Sequence, residues 1–163
     1  MIFTPHIVVG AIIGAKTHNL GLIIILGLLS HFILDMIPHW EYHSEGIKNY
    51  RKIKDFRAFI LTLFKITIDG LIGLLIVFTM VELRGSINAR YLLFILIGVF
   101  VSVLPDILLG FARIFGEGKL SEKYIHFHSK IIHQHKEKEG KITFLSLFTE
   151  ILTVVLGIIF FFF

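Results

Sequence analysis

The sequence predicts an all-α fold: a polytopic helical membrane protein with four to five transmembrane helices and an amphipathic helix on the cytoplasmic surface. Three observations lead there. Of the 163 residues, 55 % are hydrophobic and only 17 % are charged, against roughly 45–50 % and 25 % in soluble domains. The apolar residues gather into four stretches long enough, or nearly so, to cross about 30 Å of hydrocarbon. The basic residues collect in alternate loops between those stretches. A chain of this length makes one domain, 1–163.

The first element, 5–16 (PHIVVGAIIGAK), is short for a span. Thr4 and Pro5 read as its N-cap and first-turn proline. Gly10 and Gly14 give it a small-residue face for close packing against the next helix. The brief connector THNLG then makes helices one and two an antiparallel hairpin. Longer apolar runs follow at about 20–38, 58–81, 91–115 and 142–163. In the loop 113–141, Leu120, Tyr124, Phe127 and Ile131 recur at helical spacing opposite a basic face, the pattern of a helix lying on a membrane surface.

With five spans, the N-terminus and the loops 40–57 and 113–141 share one side. That side holds twelve of the 16 Lys and Arg, while Lys16, Arg84 and Arg90 lie opposite and Lys65 falls within the third helix. Such asymmetry assigns the basic side, and the N-terminus with it, to the cytoplasm, the expected site being a prokaryotic cytoplasmic membrane. The first run lacks a basic n-region and contains Pro5 and His6, so no cleavable signal peptide is expected.

The net charge of +4 does not argue for nucleic acid, since no soluble domain presents a basic face; the expected partner is membrane lipid. Cysteine is absent, which excludes disulfides and thiolate metal sites. Any metal must be held by imidazole and carboxylate, and nine histidines are many for this length.

The polar residues that interrupt the apolar runs are concentrated. In SHFILDMIPHW (30–40), His31, Asp35 and His39 recur every four residues and so share a helical face. His6 begins the first helix on the same side of the bilayer, and Asp106, after Pro105, lies about seven residues from the cytoplasmic end of the fourth. Asp69 falls near mid-depth in the third helix, with Lys65 one turn nearer the cytoplasm. Charged groups at such depth cost several kcal/mol when unpaired and normally face the bundle interior. A His/Asp cluster on converging helices suits zinc, or manganese. His6, His31, Asp35, His39 and Asp106 are therefore the expected metal ligands. Asp69 or Glu41 is the expected catalytic base or orienter, and Lys65, His126 and His128 are expected to contact a substrate phosphate. Competing structural roles are a hydrogen-bond network without metal for the helix-two residues and an i, i+4 ion pair for Lys65 and Asp69.

At TPHIVVGAIIGA followed by SHFILDMIPHW, the chain resembles the small bacterial and archaeal membrane proteins described as membrane-bound metal-dependent hydrolases, the LexA-regulated inner-membrane type and its relatives. The likeness covers the first two helices and, loosely, LPD at 104–106. Better-known members carry a Pro-Asp-x-Asp-His segment where this chain has ILDMIPH. HFILDMIPH is also similar in chemistry to the His-aromatic-x-x-Asp…Pro…His segment of zinc-dependent phospholipases C, although its last histidine comes two residues early. These resemblances imply metal-assisted hydrolysis of a lipid phosphoester at the cytoplasmic leaflet. The rival expectations are a divalent-metal or proton transporter and a non-catalytic scaffold or metal sensor. A transporter needs polar residues continuing to the far face, and beyond Asp69 the sequence offers mainly Glu82 and Glu150.

Overall fold

In the computed structural model, residues 2–40, 45–85, 88–132 and 143–163 are described, with the side chains of 130–132 left aside. Helices make up nearly all of them, and no strand occurs among the described residues. In chain order they are α1 (Phe3–Thr17), α2 (Leu20–Met36), the single turns α3 (Glu45–Lys48) and α4 (Tyr50–Ile53), α5 (Phe56–Arg84), α6 (Ala89–Ile114), α7 (Lys119–His126) and α8 (Phe144–Phe162). A π-helical stretch, Phe127–Ile132, continues α7.

Local chemistry sets the boundaries. His18, in the left-handed conformation with φ 50°, ends α1. Asn19 then caps α2 by accepting from the Leu22 N–H at 3.1 Å. Asp55 and Asn88 cap α5 and α6 in the same way, and Thr143 with Ser146 forms a reciprocal cap on α8. Pro38 forces the preceding Ile37 into extended backbone (ψ 141°), so α2 stops at Met36 rather than 38.

α5, α6 and α8, of 29, 26 and 19 residues, are long and apolar enough to cross a membrane. α2, with 17 residues, falls just short of that length, and α1 has 15. At about 1.5 Å per residue, α1 is only about 22 Å long. Its shortness is accommodated by position: α1 is the central helix, packed against α2, α5, α6 and α8. Large apolar side chains such as Ile25, Phe64, Leu75 and Phe100 point outward and are more than half exposed. A water-facing surface of that kind would be an aggregation hazard; against lipid it is the expected one.

Gly10 and Gly14 let α1 approach α6, not α2 as the hairpin pattern predicts. A methyl group on Gly10 would collide with the carbonyl of Gly98, and one on Gly14 with that of Phe94. The interior below this contact is apolar: Ile7, Ala11, Ala15, Val77, Met80, Ile95, Val99 and Phe161 form one cluster.

The predicted Thr4 N-cap takes another form. Thr4 lies inside α1, and the helix start is capped from α5: Asp69 accepts from the backbone N–H of Phe3 and Thr4 and, at 2.6 Å, from the Thr4 hydroxyl. A buried carboxylate on the first free N–H groups of a helix satisfies both the donors and the helix dipole.

Candidate metal centre

Three elements converge on one point. α2 contributes His31 and Asp35, one turn apart on its inward face. α6 contributes Asp106 behind Pro105, and the π-helical stretch after α7 contributes His128. Each offers one ligand atom, and the four atoms lie within 4.8 Å of one another. His31 Nε2 is 3.1 Å from Asp35 Oδ2 and 3.9 Å from Asp106 Oδ1. His128 Nε2 is 3.8 Å and 3.5 Å from the same two oxygens, and the two imidazole nitrogens are 3.2 Å apart. The histidines and Asp35 are buried, whereas the Asp106 side chain is 17 % exposed, so the group opens on its side.

The tautomer of His31 is fixed by its outer nitrogen. Nδ1 lies 2.8 Å from the Ser102 carbonyl, which can only accept, so Nδ1 carries the proton. In the neutral ring, Nε2 then presents a lone pair to a carboxylate oxygen and to a second imidazole nitrogen. With His128 Nε2 likewise unprotonated, these atoms form a group able to hold a cation at its centre.

His6 stands behind these residues. Its ring stacks on that of His31, with centroids 4.4 Å apart and planes inclined by 29°. Its Nε2 lies 3.2 Å from the other oxygen of Asp35, Oδ1. The structure thus brings together His6, His31, Asp35 and Asp106 of the expected ligands, His6 on the outer side. His39 is not in the group: it follows the Pro38 break, and its ring nitrogen Nδ1 meets the Ile37 carbonyl at 2.6 Å.

His128, expected at a substrate phosphate, lies instead in the centre, fully buried. Its neighbour His126 is exposed. The π-helical turn has wider spacing than an α-helix and alters which residues face inward. Tyr124 anchors this arm by donating to the Pro105 carbonyl at 2.8 Å. Burial, then the negative charges of Asp106 and Asp35, push the Tyr124 hydroxyl up to about 12.

Asp69 is engaged with the start of α1, and Lys65, one turn earlier on α5, is exposed; no ion pair joins them among the described residues. Glu41 lies outside the described residues, as do the loop histidines His43, His133 and His135. Glu150 accepts from the Trp40 N–H at 3.1 Å, while the Thr149 hydroxyl donates to the Pro38 carbonyl at 2.6 Å. Glu150 thus belongs to the end of the bundle where α2 finishes, not to a polar path toward the far face.

Sequence reasoning missed Ser102, whose hydroxyl donates to the His6 carbonyl at 2.7 Å and whose own carbonyl holds His31. Its signal was a polar residue one turn before Asp106 in an otherwise apolar run. Fold and site define an all-helical protein with membrane-length helices and a two-histidine, two-aspartate group, three of its members buried, able to hold a metal ion. Comparison with family models, curated proteins and solved structures finds no match.

Proposed function

We propose that this chain is a membrane-embedded, metal-dependent hydrolase acting on a lipid phosphoester. In this reading its site opens to the cytoplasmic leaflet of a prokaryotic cytoplasmic membrane, with the N-terminus on that side. The single observation that carries the reading is the donor geometry around His31. Ligand atoms at about 2.1 Å from a tetrahedral ion lie roughly 3.4 Å from each other, and five of the separations in the group run from 3.1 to 3.9 Å. Two imidazoles and two carboxylates without thiolate suit zinc first and manganese second.

His31, Asp35 and His128 would hold the ion, being the buried members. A divalent ion there would acidify water toward neutral pH and polarise a phosphoryl oxygen. Asp106 Oδ1, on the exposed side, is the group available to take the proton of the attacking water and return it to the departing alcohol. Ser102 and His6 keep the His31 ring and the Asp35 carboxylate in register. Phe32, edge-on to both His31 and Phe127 at 5.4 and 5.8 Å, helps exclude bulk water.

The apolar cluster beneath the site supports a closed-bottomed pocket over a permeation path for metal or protons. A second reading has its own observation. Four protein donors fill a tetrahedral zinc sphere, as in structural sites, which favours a metal sensor or a metal-clamped scaffold.

The test is metal content by plasma mass spectrometry, followed by a phosphate-release screen on phospholipids. About one zinc or manganese per chain, lost in both His31→Ala and Asp35→Ala together with phosphate release, is the expected result. Stoichiometric metal without turnover on any phosphoester leaves the structural reading. Absence of metal after repletion defeats both.

A further inference from the structure

We propose that Arg113, tethered by Ser129, is the phosphate-binding group at the mouth of the metal centre. The inference rests on the hydrolase reading for its metal but on different residues. Arg113 follows Asp106 by seven residues on α6, two turns, so both occupy one face. Side chains on a helix lean toward its N-terminus, which carries the guanidinium back toward Asp106. Its Nη2 donates to Ser129 Oγ at 2.8 Å. Ser129 is the residue after His128, whose Nε2 lies 3.5 Å from Asp106 Oδ1. The guanidinium is therefore fastened to the residue that follows His128 and sits on the helix that carries Asp106.

Charge shows why a cation is needed there. The carboxylates of Asp35 and Asp106 offset the charge of a divalent ion held by His31, Asp35 and His128, which weakens its pull on an anion. Arg113 adds positive charge from the helix that carries Asp106. A planar guanidinium takes two oxygens of a phosphate at once, a geometry lysine lacks. A second guanidinium, that of Arg51, bonds the Gly116 carbonyl just past the end of α6 and adds positive charge at the same end. The ligand recognised is a phosphate group, free or at the head of a lipid.

The experiment measures equilibrium binding to zinc-loaded protein in detergent by calorimetry, with inorganic phosphate in one arm and dihexanoyl phosphatidic acid in the other. Metal content is read on the same samples. Expected is binding in at least one arm, weakened at least about tenfold in Arg113→Gln, the worth of one charge-assisted hydrogen bond. Arg113→Lys should recover part of it, and metal content should stay unchanged. Binding of the lipid alone identifies a headgroup site; equal binding in both arms identifies the phosphate itself. Wild-type affinity in Arg113→Gln, or a zinc-loaded wild type that binds neither probe, overturns the proposal. A wild type that takes up no metal defeats the hydrolase reading instead; phosphate binding that still depends on Arg113 then sustains the subsite, and binding indifferent to Arg113 removes it.

Discussion

Replacing His6 by alanine separates a supporting residue from a ligand. The substitution removes a fully buried ring that stacks on His31 at 4.4 Å and whose Nε2 lies 3.2 Å from Asp35 Oδ1. Neither contact involves the Asp35 oxygen nearest His31 and His128, so the inward-facing ligand atoms all remain. What is lost is the orientation of two of them. Loss of a partner that orients a metal ligand typically costs about 10–100-fold in affinity, which is about 1.4–2.7 kcal/mol. Zinc affinity is measured by competition with a chromophoric chelator, on variants that pass size-exclusion and circular-dichroism checks. His6→Ala should bind one zinc with affinity lowered by that factor and regain full occupancy at higher zinc. His6→Gln, which keeps a polar group at similar volume, should fall between. An unchanged affinity would refute the orienting role. Loss as complete as in His31→Ala would make His6 a ligand in its own right.

Other expectations follow from the same contacts. Gly98→Ala places a methyl against the Gly10 carbonyl and should cost about 1–3 kcal/mol by overpacking. Gly110→Ala, whose added methyl meets nothing within 4 Å, should be neutral or stabilising; thermal unfolding in detergent compares the two. Asp69→Ala removes the acceptor at the start of α1 and should lower stability by about 0.5–2 kcal/mol. Its metal content should stay at the wild-type level; loss of metal in that variant would count against the separation of cap and centre. Tyr124 is raised from 10.0 to about 12 in the fold. Its neutral form is thus favoured by folding, a contribution fully present below pH 10 and lost as pH rises through about 12. The ultraviolet difference between wild type and Tyr124→Phe should show no phenolate until that range, and ionisation near pH 10 would contradict the buried arm.

Much of this was legible in the chain because hydrophobicity and helical periodicity are local properties. Apolar runs and their lengths follow from near neighbours in sequence, so the all-α class and most helix boundaries lie within a few residues of expectation. His31 and Asp35 were legible for the same reason, since residues four apart on one helix must share a face. His39 shows the limit of that periodicity: Pro38 ended the helix before its face reached that residue.

The remainder depends on which helices touch, and no spacing encodes that. Gly10 and Gly14 state that something approaches closely; only packing made it α6, whose Gly98 offers a bare backbone in return. Asp69 could as well have paired with Lys65, one turn away, but the uncapped N-terminus of α1 offered several donors in a buried place and took it. His128 read as part of a basic surface because the residues around it are charged. A π-helical turn and the Tyr124 bond to Pro105 carry it into the interior, where Asp35 and Asp106 compensate its burial. The sequence by itself determined the helices and the polar residues they must hide. The tertiary structure alone decided which of those residues share a centre, because a buried polar group is satisfied by whatever partner packing brings within about 3 Å, however distant it is along the chain.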